Sequence, residues 1–220
     1  MMHLAADMHI HTALSPCASP EMTPQAIVRQ AARKGIAVIA VCDHNSAGSV
    51  RAVAEAASGI PGGPVVIAGI EITTVEEAHV LGWFPGPEEA IAAAGELEVD
   101  AALPSTASQL SLSETVDLIH RHGGLAVAAH VDRTSFSVPG QLGFIPPDVP
   151  FDGLEISAGG AARGRAADFA SHLLPLVSSS DCHFLDDMGS GSTMLEVAEP
   201  SFDEIVKALG MVEGRGCAIA

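Results

Sequence analysis

Most of the histidines and several of the carboxylates in this chain stand where short apolar runs end, and that placement restricts the fold more than any other feature. Ile36-Ala37-Val38-Ile39-Ala40-Val41 runs straight into Cys42-Asp43-His44, and Val65-Val66-Ile67-Ala68 runs into Gly69-Ile70-Glu71. Leu125 to Ala129 delivers His130, and Leu173 to Ser179 delivers Asp181 and His183. Runs of this length, rich in β-branched residues and bounded by turn residues, read as buried strands. Amphipathic segments with helix signals lie between them, so the chain is predicted to be built of βα units.

The first run, Ala6-Asp7-Met8-His9-Ile10-His11-Thr12, carries two histidines at i and i+2. On a strand they share a face, about 7 Å apart along it, so both imidazoles can reach one cation. Thr23-Pro24 reads as N-cap and first position of a helix closing at Gly35. A second helix is expected from about Ser46 to Ala57, and a short one from Glu88 to Gly95. Ser111 and Glu114 form a capping box for a helix that stops at Gly123-Gly124, and Ser201 with Glu204 begins a last helix ending near Gly210. Only seven residues separate Glu71 from His79, too few for a crossover of about a dozen. The strand His79 to Phe84 is therefore predicted to run antiparallel, with His79 at its start on the same rim as Glu71. Phe151 to Ile156 carries Glu155, for which the pattern supplies no partner. Glu96 to Gln109 and Thr134 to Pro150 show no readable periodicity.

The 220 residues fit one domain, 1–220, and 48% apolar content is ample for a core. Aromatics are only 4% and Tyr is absent, so Ala, Val, Ile and Leu must fill that core, which suits an α/β fold with buried parallel strands. Ten basic residues stand against 27 acidic ones, a formal charge of −17. This balance argues against binding of long-duplex nucleic acid and nothing more. The four cysteines show no repeated spacing and no basic-then-apolar segment precedes His9, which fits a reducing cytoplasm. No apolar run approaches the roughly 18 residues of a membrane helix, so no membrane partner is expected.

His9, His11, Asp43, His44, Glu71, His79, His130, Asp181 and His183 thus gather at one rim of the predicted scaffold, as at the strand C-termini of a (β/α) barrel. Imidazoles and carboxylates suit Zn, Mn or Fe, and carboxylates can bridge two ions. The set exceeds what one tetrahedral ion needs, which favours a cluster.

Asp7-x-His9-x-His11, Cys42-Asp43-His44, Gly69-x-Glu71, His79, Ala129-His130 and Ser180-Asp181-x-His183 resemble, in order, the motifs of the PHP (polymerase and histidinol phosphatase) family over nearly the whole chain. The resemblance implies a distorted, TIM-like (β/α)7 barrel with its metal site at the C-terminal ends of the strands. It also implies two or three divalent ions and hydrolysis of a phosphoester by a metal-bound hydroxide. By resemblance, His9, His11, Glu71 and Asp181 hold one ion and form the catalytic set. Glu71, His79 and His130 hold a second, Glu71 bridging, and His44 and His183 hold a third. Asp7 and Asp43 are read as groups that orient imidazoles from behind, with direct ligation by either as the alternative. Where the family usually places a His or Asp after the HxH pair, this chain reads Ser15-Pro16-Cys17, so Cys17 is a candidate thiolate ligand. Cys42 and Cys182 are expected to face away from the ligands as packing residues.

Arg133, three residues after His130, is the candidate phosphate clamp, because a guanidinium matches phosphate bidentately. His120 and His122 flank Arg121 at a helix C-terminus, where the dipole favours cations. A small phosphomonoester (a nucleotide, or a sugar or amino-alcohol phosphate) is the expected substrate. Alternatives are cleavage of single strands at the same site and a non-catalytic binding module. An amidohydrolase with a bridging lysine is a further rival, but Lys34 and Lys207 both fall on predicted helices.

Overall fold

A computed structural model describes residues 1–99 and 106–220. The unread segment 96–109 therefore lies partly outside the described residues. Among the described residues nine strands form one mixed sheet: β1 (Met2–Ile10), β2 (Val38–Val41), β3 (Val65–Thr73), β4 (His79–Phe84), β5 (Leu125–Ala128), β6 (Gly153–Ser157), β7 (Leu176–Ser179), β8 (Thr193–Val197) and β9 (Gly216–Ile219). Their order is β7-β6-β5-β4-β3-β2-β1-β8-β9. Beyond β7, Cys182 makes a parallel bridge to Ile10 and accepts the His11 N–H at 3.0 Å. The sheet is thus curled into a nearly closed barrel, with the antiparallel β8–β9 pair flanking β1.

β4 is antiparallel to both β3 and β5, as the seven-residue connection requires, and Thr73 pairs with His79 in register. Parallel pairing holds for β1–β2, β2–β3, β5–β6 and β6–β7. Strand alternation divides the core in two. Ala6, Met8, Val38, Ala40, Ile67, Leu81, Trp83 and Val127 form the inner cluster, into which the last helix sends Ile205, Ala208 and Leu209. Trp83 on β4 donates its indole N–H to the Met8 carbonyl on β1 at 3.0 Å, a bond that crosses the barrel interior because β2 and β3 lie between. The outer cluster joins Ile39, Val41, Ile70, Ile72 and Val80 to the helices.

Helix α1 (Pro24–Lys34) is capped by Thr23, whose side chain accepts from Ala26 N, and ends at Gly35 in the left-handed region. α2 (Val50–Ser58) begins four residues later than its sequence pattern suggests. α3 (Pro87–Gly95) and α4 (Leu112–Arg121) follow, the latter with both halves of the Ser111–Glu114 capping box in place. Two five-residue helices, α5 (Val138–Leu142) and α6 (Ala158–Ala162), and the last helix, α7 (Phe202–Leu209), complete the set. Leu173 to Pro175 do not belong to β7; Leu173 is left-handed and terminates a 3-10 turn over Arg165–His172. Among the described residues, no helix is long and apolar enough to cross a membrane.

Candidate metal centre

Glu71 sits at the hub of a buried imidazole cluster. Its strand is brought close to β2 by Gly69: a Cβ there would lie 2.5 Å from Cys42 Sγ and 2.8 Å from the Val41 carbonyl oxygen. Two residues on, along the same face, Glu71 Oε1 meets His79 Nδ1 at 2.7 Å, His130 Nε2 at 3.2 Å and His9 Nε2 at 3.4 Å. Oε2 meets His44 Nδ1 at 3.0 Å and His11 Nε2 at 3.3 Å. Burial opposes ionisation of Glu71, but the imidazoles of His79 and His9 outweigh it and hold the carboxyl well below its usual range.

His9 and His11 are each held from behind. His9 Nδ1 lies 3.0 Å from Glu155 Oε2 and His11 Nδ1 lies 3.0 Å from Ser15 Oγ, whose own hydroxyl donates to Asp43 Oδ1 at 2.7 Å. With Nδ1–H occupied in this way, each Nε2 presents a lone pair. The two Nε2 atoms face one another at 3.2 Å, with Asp181 Oδ1 at 3.3 Å from the first and 3.1 Å from the second. Desolvation would lower the His9 pKa, yet Glu155, Asp181 and Glu71 raise it well above its ordinary value. The same carboxylates that hold a proton on His9 would favour a metal cation in its place. Glu71 Oε2, His44 Nδ1 and His130 Nδ1 are buried without a hydrogen-bond partner; the first two, although 3.0 Å apart, are not aligned for one. Facing lone pairs, orphaned nitrogens and a central carboxylate fit divalent cations.

Three overlapping triads have donor atoms close enough for one ion each: His9, His11 and Glu71; His44, Glu71 and His79; His11, His44 and His183. Cys17 Sγ stands 3.3 Å from His44 Nε2 at the cleft wall, and burial raises its thiol pKa. Arg133 reaches the same cleft and bonds Asp181 Oδ2 at 2.6 Å. The opening, about 310 Å³, is lined by Cys17, His44, His79, Arg133, Phe136 and His183 among others. Asn45, His130 and Asp181 all have positive φ, at 49°, 31° and 51°, a concentration of unfavourable backbone that commonly marks a functional site.

Of the flanking groups, Asp7 departs from its sequence-based assignment. Asp7 touches no Nδ1; its carboxylate accepts from Ser180 N, Ser180 Oγ and Gly189 N, so it fixes the loop that carries Asp181. Burial pushes Asp7 up to about 6. Asp43 acts on His11 through Ser15 and also accepts from Thr12 and Ser49. Glu155, partnerless in the sequence, is the group behind His9, and it also accepts the His130 N–H at 3.1 Å. Its partner is 146 positions away, so only the closed barrel shows it. Cys42 packs in the inner core, where its thiol donates to the Met8 carbonyl. Cys182 joins the outer core.

Outside the cleft, His120 pairs with Asp152 and His122 with Glu96. Lys34 donates to the carbonyls of Asp186 and Met188, and Lys207 pairs with Glu204 and Glu213. Neither is available to bridge ions as an amidohydrolase lysine would.

A PHP-associated family model matches residues 160–211. An uncharacterized protein of Methanocaldococcus jannaschii is 29% identical over 163 residues, 70% of this chain and 81% of that protein. The fold is shared with a lesion-specific endonuclease from Pyrococcus furiosus, endonuclease Q, at a TM-score of 0.77 and 21% identity over 98% of this chain. This chain spans only 58% of that protein. A proposed metal-dependent phosphoesterase from Bifidobacterium adolescentis aligns over 93% of this chain and 94% of its own, at a TM-score of 0.63 and 19% identity. Endonuclease Q has also been solved in complex with a 27-mer duplex carrying an abasic lesion at the active site. The expectation that acidity rules out long duplexes is therefore overturned. Net charge averages over the whole surface, whereas binding depends on the local field at the cleft, where Arg133 and any bound cations act. In its ordered motifs, in the segment 160–211 and in its fold, this chain is shown to resemble the PHP family.

Proposed function

We propose that the chain is a hydrolase that cleaves phosphoesters with divalent ions held in this cluster. The observation that carries the proposal is the meeting of His9 Nε2 and His11 Nε2 at 3.2 Å, each ring fixed from behind and Glu71 and Asp181 alongside. His9, His11, Glu71 and Asp181 would hold one ion. Glu71, His79 and His130 hold a second, and His44, His183 and Cys17 a third, with Zn, Mn or Fe as the metals. His11 and His44 each lie within reach of two of these positions. Bound ions supply an activated water and neutralise charge on the phosphoryl oxygens.

The chain's own groups do the rest. Glu155 and the Asp43–Ser15 relay keep His9 and His11 in the tautomer that presents Nε2, and Asp7 anchors the Asp181 loop. Arg133, 42% exposed on its side chain and paired with Asp181, exchanges that carboxylate for a phosphate oxygen. We read 1–220 as one domain and β1 to β7 as a distorted (β/α)7 barrel in which β4 is reversed. The cleft volume suits a small phosphomonoester. Cleavage of a nucleic-acid strand is the second reading, favoured by the duplex complex of the similar endonuclease.

The test is product release from a panel of phosphomonoesters, a short single strand and a duplex with an abasic site, each with Mn or Zn and with chelator. Hydrolysis of any of these that chelator abolishes and metal restores is expected. Metal bound in stoichiometric amount with no phosphoester cleaved would leave a binding module instead. Monoester release alone selects the first reading, and cleavage of either nucleic acid selects the second.

A further inference from the structure

Phe136 lies on the loop after β5, three residues beyond Arg133, and lines the same cleft. Its φ is 55°, in the left-handed region where a bulky side chain is strained. The strain is held by its carbonyl, which accepts the His79 N–H at 2.9 Å. This turn sets the phenyl ring on the His79 imidazole, with centroids 5.0 Å apart and planes 27° from parallel. Burial does not repay that conformation, because 47% of the residue remains exposed. An aromatic ring is thus fixed at the mouth of the cluster, packed on one side against an imidazole and open to solvent. In a chain with only 4% aromatics, a flat apolar surface beside a guanidinium is a specific arrangement.

We infer that Phe136 is a specificity-determining platform on which a planar ring of the substrate stacks, so that the preferred substrate is a nucleoside phosphate. Resting on the hydrolase reading, this assigns the phosphate to the ions and Arg133 and the base to Phe136. Every nucleobase has a π-face, so the platform selects a base without selecting which one. Free nucleotide and a nucleotide within a strand share this chemistry.

The experiment uses the metal-loaded protein, comparing AMP with ribose 5-phosphate, which lacks the base. Wild-type protein is expected to show a lower KM for AMP, and Phe136→Leu, which keeps the bulk but not the ring, to shrink that preference by about tenfold. A second arm needs no turnover. In Phe136→Trp, the introduced indole should be quenched by AMP and not by ribose 5-phosphate, the native Trp83 being buried. Repeating this arm with a short oligoadenylate tells a free nucleotide from a strand, and quenching by either supports the platform. Equal KM values for AMP and ribose 5-phosphate in the wild type, or an unchanged ratio in Phe136→Leu, would overturn the inference while leaving the hydrolase reading intact. If no phosphoester is cleaved, the hydrolase reading falls, and the emission of Phe136→Trp alone decides: a base-dependent change upholds the platform, and none overturns it.

Discussion

A neutral imidazole offers a lone pair at one nitrogen and carries its proton on the other, and at His9 the carboxylate of Glu155 selects Nδ1 as the protonated one. Glu155→Gln leaves an acceptor of the same shape but removes the charge that makes His9 a strong base. It should weaken metal binding by about 10- to 100-fold with the fold intact. Glu71→Gln removes the hub carboxylate itself, so metal content and hydrolysis should disappear together while thermal unfolding stays cooperative. Elemental analysis of dialysed protein reads the metal content and product release the hydrolysis, and full metal occupancy in Glu71→Gln would sink its bridging role. The His, Asp and Glu residues of the cluster were legible in the sequence because each ends or begins an apolar run. Glu155 and Ser15 were not, since their meaning lies in which imidazole they touch. Phe136 was hidden by a backbone angle that no local pattern announces.

Among the elements, caps and connection lengths carried the most information. The Thr23–Pro24 start, the Gly35 stop, the Ser111–Glu114 box and the reversal of β4 follow from local chemistry alone. α2 starts late because Ser49, instead of capping the helix, donates to Asp43: the approach to that helix serves the site. β8 and β9 escaped notice since each is only four or five residues long and marks no site position. Their attachment to α7 depends on Glu204, which accepts from Arg215 Nε at 2.8 Å, Arg215 Nη2 at 2.9 Å and Ala198 N at 2.6 Å. The Arg215 bonds, with the Ala198 amide, hold its carboxyl down to about 2 against a usual 4.5. A depressed folded-state pKa gives stability that is complete above 4.5 and lost as pH falls toward 2. Urea midpoints measured at pH 6 and pH 3 should therefore converge in Glu204→Gln relative to the native chain. An identical loss of stability in both proteins would remove Glu204 from the account.

For the molecule as a whole, the cluster brings together side chains from β1, β3, the start of β4, the turn after β5 and the Asp181 loop. An ion that binds only the folded state stabilises all of it at once. Metal at 100 times its Kd should raise the melting temperature by about 5–10 °C, and chelator should reverse the rise. A melting temperature indifferent to Mn, Zn and chelator would argue against ions at these residues. Net charge, a property at this scale, said least about the ligand.

The closure of the ring between β1 and the residues beyond β7 also orders events in time. His11 and Asp181 are 170 positions apart, so a ribosome finishes His9 and His11 long before the carboxylate that completes their group exists. An emerging chain carries half a site, with a pair of imidazoles and nothing to trap an ion firmly between them. Tight capture of an ion at this group would thus wait on synthesis through Asp181, so a loaded molecule would be one whose synthesis has already passed that residue.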